Sequence, residues 1–229
     1  MQIPTKHVII GSLVLIAAVI AAIVWLVTQP ITVPTRSVLG DKTELLAQYD
    51  RAVEFEGKII ANPDDLTNYL VASAAWKFLG DFTKENVWYQ LSEQTLARAI
   101  ELTENKNTLV LGNAAQIAEA LGDYRTEKKY YTIALDLTPG DTSLWLAYIK
   151  MLRFKIKVSE SDVLRAFDDA MSRVVGGADL ISARAEYLKS IGRFDDARTD
   201  LELLLKNKVI TQEQLDSELR DMAQQKESK

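Results

Sequence analysis

Apolar residues recur at three- and four-residue steps along most of the chain, which places them on one face of an α-helix. Two such patterns meet between Leu111 and Pro139, where Gly122 separates them. Gly122 is expected to end the first helix. Pro139 ends the second, because proline disfavours the helical conformation of the residue before it. This segment is therefore predicted to be a helical hairpin, and neither of its helices could bury its apolar face alone.

The hairpin places small, aromatic and turn residues at defined intervals: Ala115, Gly122, Tyr124, Tyr131, Ala134 and Pro139. This spacing resembles the tetratricopeptide repeat, a 34-residue helix-turn-helix unit. Glu127 departs from the family pattern, because a small residue is usual at its position. The resemblance implies an all-α fold in which stacked hairpins form a right-handed helical solenoid.

Three further copies of the pattern lie in register with this hairpin. Trp145 follows Leu111 by 34 residues and belongs to one copy, although Ile156 stands where the turn glycine is expected and the second helix comes two residues late. In the copy nearest the N-terminus, Gly80 marks the turn and the second helix comes seven residues late. Repeat units are thus predicted at about 65–107, 108–141, 142–177 and 178–208.

Helical spacing continues on both sides of the repeats. Flanking helices are predicted at 41–61 and 211–226, which gives about ten helices within residues 41–229. Thr211 and Gln214 form a capping-box signature at the start of the last helix. Terminal helices of this kind are expected to cover the end units, because a repeat array otherwise exposes its apolar ends to water.

The N-terminal region has a different pattern. Val8 to Val27 is an uncharged run of twenty residues, long enough at about 1.5 Å per residue to cross a hydrocarbon core of roughly 30 Å. We expect an uncleaved transmembrane helix after a short leader, residues 1–7, with a cleaved signal peptide or a buried core helix as alternatives. Residues 28–40 contain Pro30 and Pro34 and are expected to form an extended linker.

Basic residues flank the run almost equally. Lys6 and the α-amino group precede it, and Arg36 and Lys42 follow it. The numbers of positive charges on the two sides are nearly equal, so the positive-inside rule does not decide the orientation. Because short leaders commonly stay in the cytoplasm, we expect a single-pass membrane protein with extracytoplasmic repeats; a cytoplasm-facing domain is the alternative. The chain has no cysteine, which is compatible with either side.

Charge and residue types limit the chemistry. The chain carries a net charge of −5, with 26 basic and 32 acidic residues beyond residue 35, so nucleic acid is not an expected partner and anionic lipid would mildly repel this part. His7 is the only histidine, which argues against soft metal sites and histidine-assisted nucleophiles beyond the apolar run. Adjacent carboxylates such as Asp168 and Asp169 point about 100° apart on a helix. No enzymatic activity, cofactor, metal or small-molecule substrate is therefore expected.

The tetratricopeptide resemblance implies that the first helix of each unit lines a concave groove, which receives an extended peptide or a helix of a partner. The register places twelve residues in this groove: Leu70, Lys77, Phe78, Leu109, Gln116, Glu119, Leu146, Lys150, Arg153, Phe154, Glu186 and Lys189. Apolar residues beside basic ones favour a protein or peptide partner that is apolar and carries acidic residues. The alternative is an ordinary solvated helix face whose side-chain stems pack against neighbours.

These features predict a non-catalytic, membrane-anchored scaffold or adaptor in cell-envelope protein assembly or quality control. Family members that grip a terminal carboxylate use lysine and asparagine on successive first helices, and only Asn113 matches that set here. Binding through such a clamp is not expected. The alternative function is a permanent structural subunit of a membrane complex that uses the anchor and the convex face.

Overall fold

A computed structural model describes residues 31–227 of the chain. The chain divides into two units, Met1–Asp41 and Lys42–Lys229. The described part of the first unit contains one 3-10 helix, Arg36–Leu39, where the sequence predicts only an extended linker. The predicted leader and the Val8 to Val27 run lie outside the described residues. Between residues 31 and 227, no helix is long and apolar enough to cross a bilayer.

The described part of the second unit is all-α, with ten helices and no strand. In chain order these are α1 (Thr43–Ala61), α2 (Leu66–Thr83), α3 (Asn86–Leu102), α4 (Thr108–Leu121), α5 (Tyr124–Leu137), α6 (Thr142–Met151), α7 (Glu160–Arg173), α8 (Ala178–Ser190), α9 (Phe194–Lys206) and α10 (Gln212–Glu227). Consecutive helices pack against each other, most closely in the pairs α1 with α2, α2 with α3, α4 with α5 and α8 with α9.

Short polar side chains fix where several helices begin. Asp65, Asn107, Asp123 and Asp141 each accept a backbone N–H two or three residues further on, at 3.0 to 3.1 Å. Such N-caps satisfy donors that have no partner inside the helix. Gly122 ends α4 in the left-handed conformation with φ 75°, so the predicted turn between α4 and α5 is confirmed.

The core runs as overlapping clusters along the stack. Trp76 and Trp88 stack with ring centroids 5.8 Å apart, and Tyr49 packs edge-on against both. Further along, a cluster around Trp145 and Phe167 joins α4 to α8. Each cluster takes residues from neighbouring hairpins, so burial depends on stacking and not on any hairpin alone.

One ion-pair network ties three successive helices together near the C-terminal end. Arg184 on α8 donates through Nε and Nη2 to the carboxylate of Asp200 on α9, at 2.9 and 2.7 Å. Its Nη1 donates to Asp168 on α7 at 2.8 Å. Asp200 is buried, so this bidentate pairing compensates for removing its charge from water.

The first predicted turn is in a different place. Gly80 lies inside α2, which continues to Thr83 and ends at Lys84 in the left-handed conformation with φ 63°. The glycine is needed for packing, because a Cβ atom at Gly80 would lie 2.7 Å from the ring of Tyr89 on α3. Gly80 therefore lets α3 approach α2 and does not form the turn.

The turn after α6 holds the predicted insertion. α6 continues as a π-helical turn, Leu152–Ile156, and Lys157 follows in the left-handed conformation with φ 56° and ψ 52°. A π turn accommodates an extra residue in a helix and is often found at functional sites. Lys157, one residue after Ile156, takes the conformation that glycine usually supplies in this type of turn.

The C-terminal helix begins with the predicted capping box. The backbone N–H of Thr211 donates to Gln214 Oε1 at 2.7 Å, and the backbone N–H of Gln214 donates to Thr211 Oγ1 at 3.2 Å. Leu215 and Met222 of α10 are buried in a cluster with residues of α8 and α9. α10 thus covers apolar surface that the last hairpin would expose.

Candidate protein-binding groove

A cavity of about 380 Å³ lies between the first helices of two successive hairpins, α4 and α6. Its apolar side is formed by Leu109, Leu144 and Ala147, while Asn113 and Gln116 supply side-chain amides. Leu109 is 59% exposed although it is a large apolar residue. The remaining lining residues are Thr108, Gly112, Tyr131, Asp141 and Ser143. We call this cavity the α4/α6 groove.

The local sequence explains why a groove forms here. Gly112 faces Leu144 across the cavity, where a Cβ atom on the glycine would lie 3.9 Å from the leucine side chain, and Ala147 is small. Asp141 accepts the N–H of Leu144 at 3.0 Å and so fixes the start of α6. The small residues leave room between two helices whose positions are set by buried neighbours such as Leu111 and Ile149.

The two amides give the groove its polar character. Gln116 is exposed and lies three residues after Asn113, so both project from one face of α4. Asp141 is the single charged lining residue, and its carboxylate is already used as an N-cap. An apolar side chain with adjacent backbone amides is what this combination of groups can hold.

Basic residues gather at the C-terminal end of α6. Lys155 pairs with Glu119 of α4 at 3.1 Å. The Arg153 guanidinium lies 4.8 Å from the ring centroid of Phe154 and 4.4 Å from that of Tyr187 on α8. Phe154 itself is 57% exposed. Lys150, Arg153 and Lys155 follow the lining residues Leu144 and Ala147 along α6 and its π turn without lining the cavity themselves. We call these three residues the basic end of the groove.

Glu127 on α5 is the unusual charged residue of this region. It is only 2% exposed, and its Oε2 has no hydrogen-bond partner within residues 31–227. Burial, followed by repulsion from Glu119, raises the pKa of Glu127 to about 7, although Lys155 and Lys150 act in the opposite direction. Burial of Tyr131, followed by repulsion from Glu127 and Glu119, raises the pKa of Tyr131 to about 12.

Five of the twelve predicted groove residues lie on α2 or α8, away from this cavity. Leu70 packs half-buried against the core of the first hairpins, and Phe78 is also half-buried. Lys77 forms an ion pair with Asp81 at 2.6 Å. On α8, Glu186 pairs with Lys189 at 2.6 Å.

Lys189 is a predicted groove residue that the structure leaves largely inaccessible. Its side chain is 14% exposed and also pairs with Glu218 of α10 at 2.6 Å. The C-terminal helix therefore occupies the surface that the repeat register assigns to a partner at this end of the chain.

The remaining predicted residues lie on or near α4 and α6. Leu109 and Gln116 line the cavity, and Glu119 is joined to the π turn after α6 through Lys155. Leu146 is half-buried against the cluster around Trp145. The other three, Lys150, Arg153 and Phe154, lie on α6 and its π turn.

Several residues of the site were not among the twelve predicted groove residues, including Asn113, Leu144, Ala147 and Lys155. Leu144 and Ala147 both line the cavity and are three residues apart, so they lie on one face of α6. This helical spacing is present in the sequence and could have identified them. Lys155 has no such signal, because the π turn changes the helical register on which the assignment depends.

A second cavity, of about 400 Å³, lies among α5, α6 and α7. Trp145 and Tyr148 line it together with side chains of both charges, including Lys128 and Asp169. Within residues 31–227, no group of three or more histidine, cysteine or acidic side chains is arranged to hold a metal ion.

Comparison with two crystal structures of MamA supports the fold. One crystal structure of MamA aligns with a TM-score of 0.54 at 10% identity, over 69% of this chain and 86% of MamA. A second MamA structure gives a TM-score of 0.53 at 11% identity, over 75% of this chain and 88% of that one. A tetratricopeptide repeat protein from Parabacteroides merdae ATCC 43184 gives 0.46 at 15% identity, over 79% and 66% of the two chains.

No protein-family model matches the sequence. No curated protein matches it either. At 10 to 11% identity, the likeness to MamA concerns the fold alone. Together with the stacked hairpins of the described residues, it supports an all-α, tetratricopeptide-like fold.

Proposed function

We propose that the chain is a non-catalytic scaffold that binds a segment of a partner protein in the α4/α6 groove. The observation that carries this proposal is the cavity of about 380 Å³, in which exposed Leu109 lies beside two amide side chains of α4, Asn113 and Gln116. An exposed apolar side chain beside polar groups in a concave site is typical of recognition surfaces. The proposed partner segment is apolar and carries acidic residues.

The proposed scaffold is anchored in a membrane by Val8 to Val27. Support comes from the sequence, since twenty uncharged residues match the thickness of a hydrocarbon core. We place the repeats on the extracytoplasmic side, where the scaffold would act in cell-envelope protein assembly or quality control. Resistance to carbonate extraction tests the anchor, and protease accessibility in spheroplasts tests the side; release by carbonate would refute the anchor.

Site-specific photo-crosslinking in cells tests the groove. A benzophenone amino acid replaces Leu109 or Gln116, and the matched control carries it at Ile60, an 81% exposed apolar position on α1. The same protein should crosslink from both groove positions and not from the control. A Leu109→Asp substitution should abolish the crosslink from Gln116 while leaving the helical circular dichroism unchanged, because Leu109 is largely exposed.

Equal crosslinking from Ile60 and from the groove positions would contradict the proposal. If that crosslinked protein also co-purified in fixed stoichiometry through high salt and through Leu109→Asp, the chain would instead be a permanent structural subunit of a complex. Screening weakens contacts between exposed charges, so salt separates a charged, transient contact from a large apolar one.

A further inference from the structure

The basic end of the groove is a local reversal of charge. Residues 150–157 contain four basic residues and no acid, in a chain whose net charge is −5. Lys150 is exposed and makes no ion pair within the described part of the chain. Lys155 is held by Glu119 at 3.1 Å, while Arg153 lies against Tyr187. Of the three cations of the basic end, Lys150 is therefore the most available to an incoming carboxylate.

Glu127 sets the net charge of this cluster. The charged groups that act on it are Glu119 on α4 and Lys150 and Lys155 on α6 and its π turn. Tyr131, one turn further along α5, is neutral at physiological pH, since its pKa is raised to about 12 from an ordinary value that already lies well above pH 7. With Glu127 ionised, the negative charges of Glu119 and Glu127 balance the positive charges of Lys150 and Lys155. With Glu127 protonated, the cluster carries a net positive charge.

We propose that the basic end of the α4/α6 groove binds an acidic side chain of the partner segment, and that protonation of the buried Glu127 strengthens this binding. The inference rests on the proposed function and adds to it the partner's chemistry and its dependence on pH. Charge complementarity selects the occupant: Asp141 is the single charged residue that lines the groove, whereas Lys150 lies one turn beyond the lining residue Ala147 on α6.

The pH range follows from the direction of the shift. The pKa of Glu127 is raised from 4.5 to about 7, so its protonated form predominates below about pH 7 and its ionised form above. An acidic ligand is ionised throughout this range. It should therefore bind more tightly at pH 6 than at pH 8.

Helix geometry sets the spacing of the ligand's two side chains. Leu144 in the groove and Lys150 at the basic end are separated by six residues on α6, which is about 9 Å of helix. An extended chain covers this distance in about three residues. A ligand should therefore carry its acidic residue about three positions from its apolar one.

Fluorescent peptides with this spacing test the proposal on the full chain in detergent micelles. The probes are Ser-Leu-Ser-Ser-Glu-Ser and its reverse, each with a matched peptide in which glutamine replaces glutamate. Anisotropy should show that one glutamate peptide binds about fivefold more tightly at pH 6 than at pH 8, as expected for one charge acting over several ångströms. Binding of its glutamine counterpart should not depend on pH.

Three variants separate the roles. Glu127→Gln should bind the glutamate peptide equally at pH 6 and pH 8. Lys150→Gln should lose the preference for glutamate over glutamine. Lys128→Gln, an exposed lysine next to Glu127 that lines the other cavity, is the matched control and should behave as the unaltered chain.

Each other outcome overturns a stated part of the inference. Equal binding of glutamate and glutamine peptides, or no binding of either, refutes the acidic contact, and crosslinking from Leu109 and Gln116 then decides separately whether the proposed function survives. A pH dependence that persists in Glu127→Gln refutes the role of Glu127. Displacement of the glutamate peptide by phosphatidylglycerol and not by phosphatidylcholine would assign the basic end to lipid headgroups.

Discussion

At the scale of single residues, Glu127 shows how one side chain can make stability depend on pH. Its pKa is raised from 4.5 to about 7 in the folded state, so the folded chain binds this proton more tightly than the unfolded chain does. The contribution of Glu127 to stability is therefore complete below about pH 4.5 and is lost as pH rises to about 7.

The Glu127→Gln substitution keeps the side-chain shape and removes the titration. Relative to the unaltered chain, the variant should be more stable by about 2 kcal/mol at pH 8 and should lose most of this advantage at pH 5. Urea unfolding of both proteins at several pH values gives the difference in their free energies of unfolding. The contributions of the other carboxylates are the same in both proteins and cancel in this difference. A constant difference at all pH values would show that Glu127 titrates normally.

Gly80 and Gly57 provide a matched pair of helix glycines. A Cβ atom at Gly80 would lie 2.7 Å from the ring of Tyr89, whereas one at Gly57 would meet nothing within 4 Å. Gly80→Ala should therefore destabilise the chain by about 1–3 kcal/mol through overpacking, while Gly57→Ala should stabilise it by about 0.5–1 kcal/mol through helix propensity. Thermal unfolding measures both, and stabilisation by both substitutions would contradict the close approach of α3 to α2.

At the scale of helices, apolar periodicity predicts what depends on local sequence. It predicts α4 and α5 because the apolar spacing, the turn at Gly122 and Pro139 all agree. It places a turn at Gly80 incorrectly. Glycine is needed there because the Tyr89 ring on the next helix packs against it, and a contact between two helices is not visible in the periodicity of one helix. It also omits Lys155 from the groove, because the π turn shifts the register after Met151.

The residues of the candidate site also divide into those that local sequence predicts and those that depend on packing between helices. Leu109 and Gln116 follow from position on α4, since a helix face is a local property. The ion pair of Lys189 does not follow from local sequence, because its partner Glu218 lies on a helix 29 residues further on. The burial of Glu127 likewise depends on how three helices pack, although its departure from the repeat pattern is visible in the sequence.

Helix ends that use the left-handed conformation without glycine carry a testable cost. Lys84 ends α2 with φ 63° and is exposed, and this conformation costs an L-residue roughly 1–2 kcal/mol. Lys84→Gly should stabilise the chain by about 0.5–1 kcal/mol after the greater flexibility of unfolded glycine is included. Lys128→Gly, inside α5, should instead destabilise it by about 1 kcal/mol. Calorimetry compares the two, and destabilisation by both would show that Lys84 is not strained.

At the scale of the whole unit Lys42–Lys229, stability is distributed between neighbouring hairpins. Trp145 and Phe167 belong to a cluster that takes residues from α4 through α8, and the next cluster shares α8 with α9 and α10. Arg184 adds a polar link across α7, α8 and α9. In such an array each hairpin is stabilised by the ones beside it, so loss of an end element should act most strongly nearby.

Removal of α10 tests this distribution. Deleting residues 211–229 would expose the apolar surface that Leu215 and Met222 cover and leave Lys189 without Glu218. Each buried side chain contributes about 1.5–3 kcal/mol, so amide hydrogen exchange in α8 and α9 should accelerate by about 100-fold or more, while α1 to α3 should change little. Deleting only residues 224–229, which include no residue of that buried cluster, is the control and should leave exchange in α8 and α9 unchanged. Equal acceleration in α1 to α3 would mean that the helices unfold as one cooperative body, because the loss of one end would then lower the stability of every hairpin alike.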